Sequence, residues 1–524
     1  MIRVMPPVNL YRARFILLVA PAREKVESCR QFYGMISANN IQWRWYPHQG
    51  RCPCLLIFFD IKHVAPLRKE GVFLFMKYNL QHHQQLCDFL TPVQTYLLLR
   101  DEGHSSVLFE STDYHSREDA HSVVAFDPLE TLKLTRGQVE ALGYAEAVQT
   151  FLSGIECAEA ADKDGFLGIY GSTNFEAICG MDKDSRPHSG GHPEDCLVQY
   201  SLYRFVLIFN HFNQILDCWE FCPAGESSAM SYLLNRLSSP VPTPGQFRKR
   251  SVVTSPLTRL EYEEIVRKGV LQCHQGEVFQ VVYSRQFSQE YVGDDFQVYR
   301  ALRSINPSPF LFYIDDGNSR VIGSSPEAQL LVRNGMAEVH PIAGTVRRSR
   351  VESENIQAIA MLREDEKENA EHTMLLDLAR NDLNRSCQAS EVTFCKEVQM
   401  FSHVIHLVSK VEARLKSGIH AAQVFADTFP AGTLSGAPKL RAIELIAEHE
   451  PQSRGLYGGA VGCYGLNGDC IHAIAIRSFF SNQGSLTYQA GAGVVMDSIP
   501  SSEADEVEGK LEALAQAMDL AETL

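Results

Sequence analysis

No apolar run in this chain of 524 residues approaches the roughly 18 that a membrane-spanning helix needs; the local patches are short, such as residues 54–59. A helical membrane protein is therefore not expected. Fourteen Cys are present but no C-x-x-C pair, and Cys52 and Cys54 form a lone C-x-C. That scatter argues against zinc and for reduced thiols in a cytoplasmic protein. Basic charge is in short supply, with 48 Lys and Arg against 63 Asp and Glu for a net −15. A general nucleic-acid binder wants the opposite balance. A G-x-G-x-x-G phosphate loop is also missing. The Gly-spaced stretch 165–171 reads instead as a strand pressed close to another backbone.

What remains is a normal globular mixture, 45% hydrophobic and 21% charged, too long for one ordinary core. Its composition changes sharply near Met76. Residues 1–75 carry eleven Lys and Arg, four Asp and Glu, and two of the three Trp. An extra small domain, a targeting segment and sequence upstream of the real start compete for this stretch. The reading favoured here is a basic extension outside a working protein that begins near Met76. Residues 76–250 form the next segment, with 78–99 read as helical and then extended. Strands at 205–209 and 215–221 read as a hairpin. The Pro-rich run 238–245 fits neither a helix nor a central strand, so a boundary or long connection falls between Leu237 and Pro256. In 251–524 helices and strands alternate: a helix over 259–275, a strand over 277–287, a long acidic helical region over 353–383, a helix opened by Pro438, and a last helix from Glu503. The class is mixed α and β, with large sheets and outer helices.

Several residues group by chemistry. Glu368 and Glu371 share one helix face, and Glu503 and Glu506 repeat that spacing. A solvated face is the commoner explanation of either pair alone. Two pairs beside Gly-rich segments allow another, carboxylates from two helices holding part of a Mg2+ shell. Three loops, 341–345, 431–438 and 489–493, expose backbone N–H groups suited to an anionic oxygen, although turns need Gly in any case. Near them in sequence stand Arg477, Lys510 and His406. A lone His in an apolar strand is more often a core residue, and Arg477 and Lys510 could equally pair with the acidic helices. Spacing alone reaches only a metal-assisted enzyme acting on a small carboxylate.

Nine strings in one order take the reading further: GEVFQVV at 276–282, NPSPF at 306–310, GSSPE at 323–327, PIAGT at 341–345, EHTMLLDLARND at 371–382, HLVS at 406–409, GTLSGAPK at 432–439, YGGAVG at 457–462 and SEADE at 502–506. Together they resemble the chorismate-utilising enzyme family, and within it the anthranilate synthase component I branch. The resemblance is dense over 255–520, thinner over 76–250, and does not reach 1–75. It implies a fold of large β-sheets in a sandwich with outer helices, a tryptophan-binding regulatory part in 76–250 and a chorismate-binding catalytic part in 251–524. It also implies Mg2+-dependent conversion of chorismate and ammonia to anthranilate and pyruvate. On the matching positions, Glu327 is the acid for the leaving hydroxyl and His406 faces the ring. Tyr457, Arg477, Gly491, Ala492, Gly493 and Lys510 hold a substrate carboxylate, and Thr433, Gly344 and Thr345 line the substrate. Glu371 and Glu506 ligate Mg2+, with Glu368 and Glu503 behind them.

Two positions separate the sister activities. Gln280 stands where isochorismate and salicylate synthases use a Lys to activate water, and Ala343 stands where many aminodeoxychorismate synthases carry Lys. Both favour direct attack by ammonia, supplied from glutamine by a separate amidotransferase subunit in a hetero-oligomer. Glu110 and Ser111, with Asn306, Pro309, Phe310 and Leu311, match the family's site for feedback inhibition by L-tryptophan. Phe310 and Leu311 depart from its Tyr and Met. The alternatives are aminodeoxychorismate synthase component I and a non-catalytic paralogue that binds chorismate or tryptophan.

Overall fold

The computed structural model describes residues 76–100, 105–111, 120–157, 159, 165–188, 195–400 and 404–524, with four short strands in the first 75 residues. The chain divides into two compact units, Met1–Phe75 and Met76–Leu524. In the first, Arg3–Met5, Leu17–Ala20, Leu55–Phe58 and Gln42–Trp45 follow one another across an antiparallel sheet. The rest of the basic segment lies outside the described residues.

The second unit is built on one long strand, Cys196–Asn210, mostly apolar and buried along most of its length. Its whole length pairs with His121–Thr135. On the other edge its second half pairs with Ile215–Pro223 and its first half with Gly168–Thr173. Two sheets diverge from there. One runs through Ser106–Glu110, Phe310–Asp315, Ser319–Ser325, Ser478–Asn482 and Ser485–Val494 to Gln280–Gly293. The other runs from Gly168–Thr173 through Ala460–Gly465, Cys470–Ile474, Ala328–Arg333 and Met336–Val339 to Val404–Arg414. Helices lie outside: Pro500–Ala521 packs on Arg259–His274, on Phe296–Ile305 and on the strand Ser485–Val494. This is the expected class of large sheets with outer helices. The 165–171 stretch does press on its neighbours, since a Cβ on Gly168 would fall 1.9 Å from Tyr464 O and one on Gly171 1.8 Å from Gln199 O. Residues 76–250 and 251–524 share these sheets and lie in one compact unit, so the Pro-rich run connects parts of it.

Several local expectations change. The three segments read as loops are largely regular structure: residues 342–345 and 489–493 lie in the strands Ile342–Arg347 and Ser485–Val494, and Gly432–Ser435 is a short helix. The order over 78–99 is reversed: Met76–Leu86 is a strand and Pro92–Leu99 a helix. The strand's partner is the distant Ile215–Pro223, which local spacing does not reveal. The helix starts where Thr91 and Gln94 form a capping box ahead of Pro92. The acidic region is two helices, Glu352–Glu364 and Glu366–Ser386, because Asp365 leaves the helical conformation and its side chain accepts from Glu368 N. The last helix begins at Pro500, with proline at its first turn.

Candidate active site

Glu327 follows the strand Ser319–Ser325 in a tight turn. Its backbone N–H donates to Ser325 Oγ at 3.3 Å, and its carbonyl accepts from Ile474 N at 3.0 Å. The backbone is thus tied to both sheets while the carboxyl reaches inward. There Oε1 accepts a hydrogen bond from Thr433 Oγ1 at 2.9 Å. Burial pushes the carboxyl up to about 7, against the opposing pull of the Thr433 bond and of the Lys510 charge. A carboxylic acid that holds its proton near neutrality is what expulsion of a hydroxyl requires.

Lys510 sits on the final helix. Its ammonium donates to Gly491 O at 2.8 Å and pairs with Glu506 at 2.7 Å. The Gly491 carbonyl therefore points away from its strand partner Ser284, and a strand residue's N–H points to the same edge as its carbonyl. That edge has no strand neighbour here, because Ser478–Asn482 pairs only with residues 485–488. By the alternation of the strand, Gly491 and Gly493 share one face and Ala492 turns its methyl to the other. The two glycines leave room for site side chains. A Cβ on Gly491 would fall 2.9 Å from Tyr457 Oη, and one on Gly493 2.5 Å from Gln280 Nε2.

Arg477 adopts a left-handed backbone, φ +50°, at the break between Cys470–Ile474 and Ser478–Asn482. Its guanidinium is held below its ordinary range by burial, with Tyr457 nearby. His406 is held below its ordinary value first by burial and then by the Arg477 charge. Its Nδ1 lies 3.1 Å from Gly344 O. Facing a carbonyl, Nδ1 carries the proton and Nε2 the lone pair. Gly344 makes this contact from a β-bulge at φ +75°, where a Cβ would strike Leu362 Cδ1 at 2.7 Å. Thr345 pairs with His406 across the strands, and its side chain lies outside the described residues.

A support absent from the sequence reading stands behind Tyr457. Arg454 is fully buried, pairs with Glu450 at 2.6 Å, and donates to Leu434 O and Val282 O. Its guanidinium also lies over the Tyr457 and Phe175 rings. Glu176 accepts from Arg454 N and Gly455 N. The sequence signal was Glu450 and Arg454 at the i,i+4 spacing, which is common on solvated surfaces.

The four acidic site residues divide. Glu371 accepts from Gln280 Nε2 at 2.8 Å, and Glu506 holds Lys510. Glu368 lies in the first turn of its helix, beside Gly344. Glu503 is buried in the first turn of the last helix. The helix of Glu371 is tied to the strand of His406 through His372 Nε2 and Ser409 Oγ, 2.6 Å apart. Among the described residues no three His, Cys, Asp or Glu gather as a metal cage. The donors still fit Mg2+, which takes oxygen ligands and is commonly held by one or two carboxylates, with substrate and water completing its shell. Gln280 Oε1, buried and without a partner, is a further oxygen at this place.

Of the six residues of the expected tryptophan site, two are strand partners, Glu110 and Leu311. Asn306–Phe310 leads into the strand of Leu311. The Glu110 carboxylate already has internal partners, Tyr299 Oη at 2.5 Å and Arg303 at 2.8 Å. A tryptophan ligand would have to share it with Arg303.

The sequence model of the chorismate binding enzyme family matches residues 106–516. Anthranilate synthase component 1 of Geobacillus stearothermophilus is 35% identical over 480 residues, covering 84% of this chain and 93% of that protein. The Lactococcus lactis subsp. lactis protein of the same name is 33% identical, covering 82% and 97%. The Aquifex aeolicus one reaches 44% over 270 residues, about half of each chain, at 51% and 55%. Among solved structures, anthranilate synthase component I from Streptococcus pneumoniae TIGR4 superposes with a TM-score of 0.64 at 28% identity, covering 82% of this chain and 99% of that one. The menaquinone-specific isochorismate synthase of Escherichia coli shares the fold, with a TM-score of 0.66 at 18% identity. With its nine strings and its sheets, the chain belongs to the chorismate-binding enzyme family.

Proposed function

We propose that this chain is the large subunit of an anthranilate synthase, converting chorismate and ammonia to anthranilate and pyruvate in tryptophan biosynthesis. The observation that carries the reading is Glu327, a buried acid poised near pH 7 in a site whose Gln280 is a neutral amide. An amide cannot act as a general base for water, so ammonia, which needs no activation, is the nucleophile.

Arg477, Tyr457 and the N–H groups of Gly491 and Gly493 bind one carboxylate of chorismate, with Lys510 fixing the strand that presents them. Thr433 orients Glu327, which gives its proton to the C4 hydroxyl as ammonia bonds to C2. Neutral His406 then takes the C2 proton on Nε2 as the C3–O bond breaks and the ring becomes aromatic, and the departing enolpyruvate takes up one proton at its methylene to become pyruvate. Glu371 and Glu506 would hold Mg2+, with Glu368 and Glu503 behind them, and a bound ion would supply positive charge to offset the second carboxylate and polarise the ring. A separate glutamine amidotransferase subunit supplies the ammonia. L-Tryptophan binds between Ser111 and Phe310–Leu311 and inhibits, and Ser111→Phe should abolish that inhibition; unchanged inhibition would mean the site is misplaced.

The test is the purified chain with chorismate, Mg2+ and an ammonium salt. Anthranilate and pyruvate together support the proposal. An aminated product that keeps its enolpyruvyl group points to the aminodeoxychorismate branch. Chorismate bound without turnover, even with the amidotransferase added, points to a regulatory paralogue.

A further inference from the structure

Glu327 also lines a cavity whose wall includes neither Lys510 nor Gly491. It is a cavity of about 40 Å³ between the start of Ala328–Arg333, the helix Glu366–Ser386 and the short helix Gly432–Ser435 that carries Thr433. That volume is the space open to the centres of waters, each of which needs roughly 10–15 Å³ of it, so the cavity has room for a short file of waters. Its wall includes Gln329, Thr428 and Asp382. Gln329 is 2% exposed. Thr428 Oγ1 donates to Phe425 O, so toward Gln329 that oxygen can only accept, which turns Gln329 Nε2 to it at 3.5 Å. Gln329 Oε1 is left buried with no donor. Such an atom in a polar cavity of this size calls for a water. Asp382, on the same wall, is bound to Lys439 at 2.8 Å and keeps 15% of its side chain exposed, so solvent reaches this end.

We propose that this cavity is a water-filled path by which Glu327 regains its proton from solvent, with Gln329 holding the inner water and Asp382 marking the outer end. The inference rests on Glu327 being the acid of the proposed reaction. In each turnover the C4–O bond breaks and Glu327 gives its proton to the departing oxygen, which leaves as water. The C2–N bond forms and the ammonium nitrogen releases one proton, so the balance closes only if one proton returns to the Glu327 carboxylate. Bound substrate covers the opposite face. Along the path, a water gives a proton to Glu327 and takes one from the next water, and nothing is oxidised or reduced.

Gln329→Leu keeps the volume and removes the water's anchor. In the ammonia-driven reaction kcat should fall at least about tenfold with the KM for chorismate unchanged, and rising concentrations of imidazolium buffer should restore it. The unaltered chain should show no such buffer dependence. Asp382→Asn should show the same pattern more weakly. A crystal structure of the unaltered chain should hold ordered water between Gln329 Oε1 and Glu327. A dry cavity, an unchanged kcat in Gln329→Leu, or a loss that buffer does not relieve would overturn the path alone. Absence of any chorismate turnover by the unaltered chain, with water in place, would overturn the role of Glu327 and the path with it.

Discussion

Glu327 shows how one side chain gains a function from its surroundings. Burial favours the protonated form, and the Thr433 bond and the Lys510 charge oppose it, leaving the group at about 7. The acid form is present below that pH and lost above it, so kcat should fall as pH rises through about 7. Thr433→Val removes a contribution that lowers the value, so that limb should move to higher pH; a limb that stays in place would unseat Thr433 from this role. Glu327→Gln should cost roughly 10²- to 10⁴-fold in kcat with the thermal unfolding midpoint held or raised. The sign follows from linkage. The folded value lies above the unfolded one, so this group's contribution to stability is full at acid pH and lost as pH rises through about 7. Glu371→Gln should abolish most turnover and weaken Mg2+ activation while the fold survives; unchanged turnover would remove it from the metal site. The types of Glu327, Glu371 and His406 could be picked out in the sequence because they stand in ordered strings. Arg454 could not, because what makes it matter is complete burial among three separate chain segments.

At the scale of elements, the strand Ser485–Val494 does the positioning. Glycine at 491 and 493 lets Tyr457 and Gln280 approach one face, and beyond residue 488 the edge that carries their N–H groups is not covered by Ser478–Asn482. A methyl at 491 would meet not only Tyr457 but the backbone carbonyl of Tyr283, 2.7 Å away, which cannot swing aside. Gly491→Ala should therefore raise the KM for chorismate and cost about 1–3 kcal/mol of stability, read by denaturant unfolding. At Gly493 the obstacle is the movable end of Gln280, so Gly493→Ala should cost less stability but disturb the Gln280–Glu371 contact. Equal unfolding midpoints for the two variants would refute this division. Most elements of 251–524 could be read from caps and periodicity, as with the helix Arg259–His274. The early segment could not, because its strand Met76–Leu86 takes its partner from far along the chain, and pairing register is not a local property.

At the scale of the molecule, the separation drawn at the Pro-rich run is not a physical one. Glu176, from the earlier part, accepts from Arg454 N and Gly455 N in the later part, directly behind Tyr457. Removing the Arg454 charge would strand Glu450 in a dry interior, so Arg454→Met should cost about 3–5 kcal/mol and raise the KM for chorismate through Tyr457. A variant as stable as the parent would show that packing alone holds Tyr457. The first 75 residues pose a different question, because their basic composition departs from the rest and they cluster as a separate unit. Every residue assigned to the site, and every strand of the sheets that carry them, lies within Met76–Leu524. A chain trimmed to start at Met76 should therefore unfold cooperatively and keep both kcat and the KM for chorismate. If the trimmed chain folds but loses turnover, the basic segment belongs to the working enzyme, and its excess of positive charge becomes a candidate for recruiting the dianionic substrate.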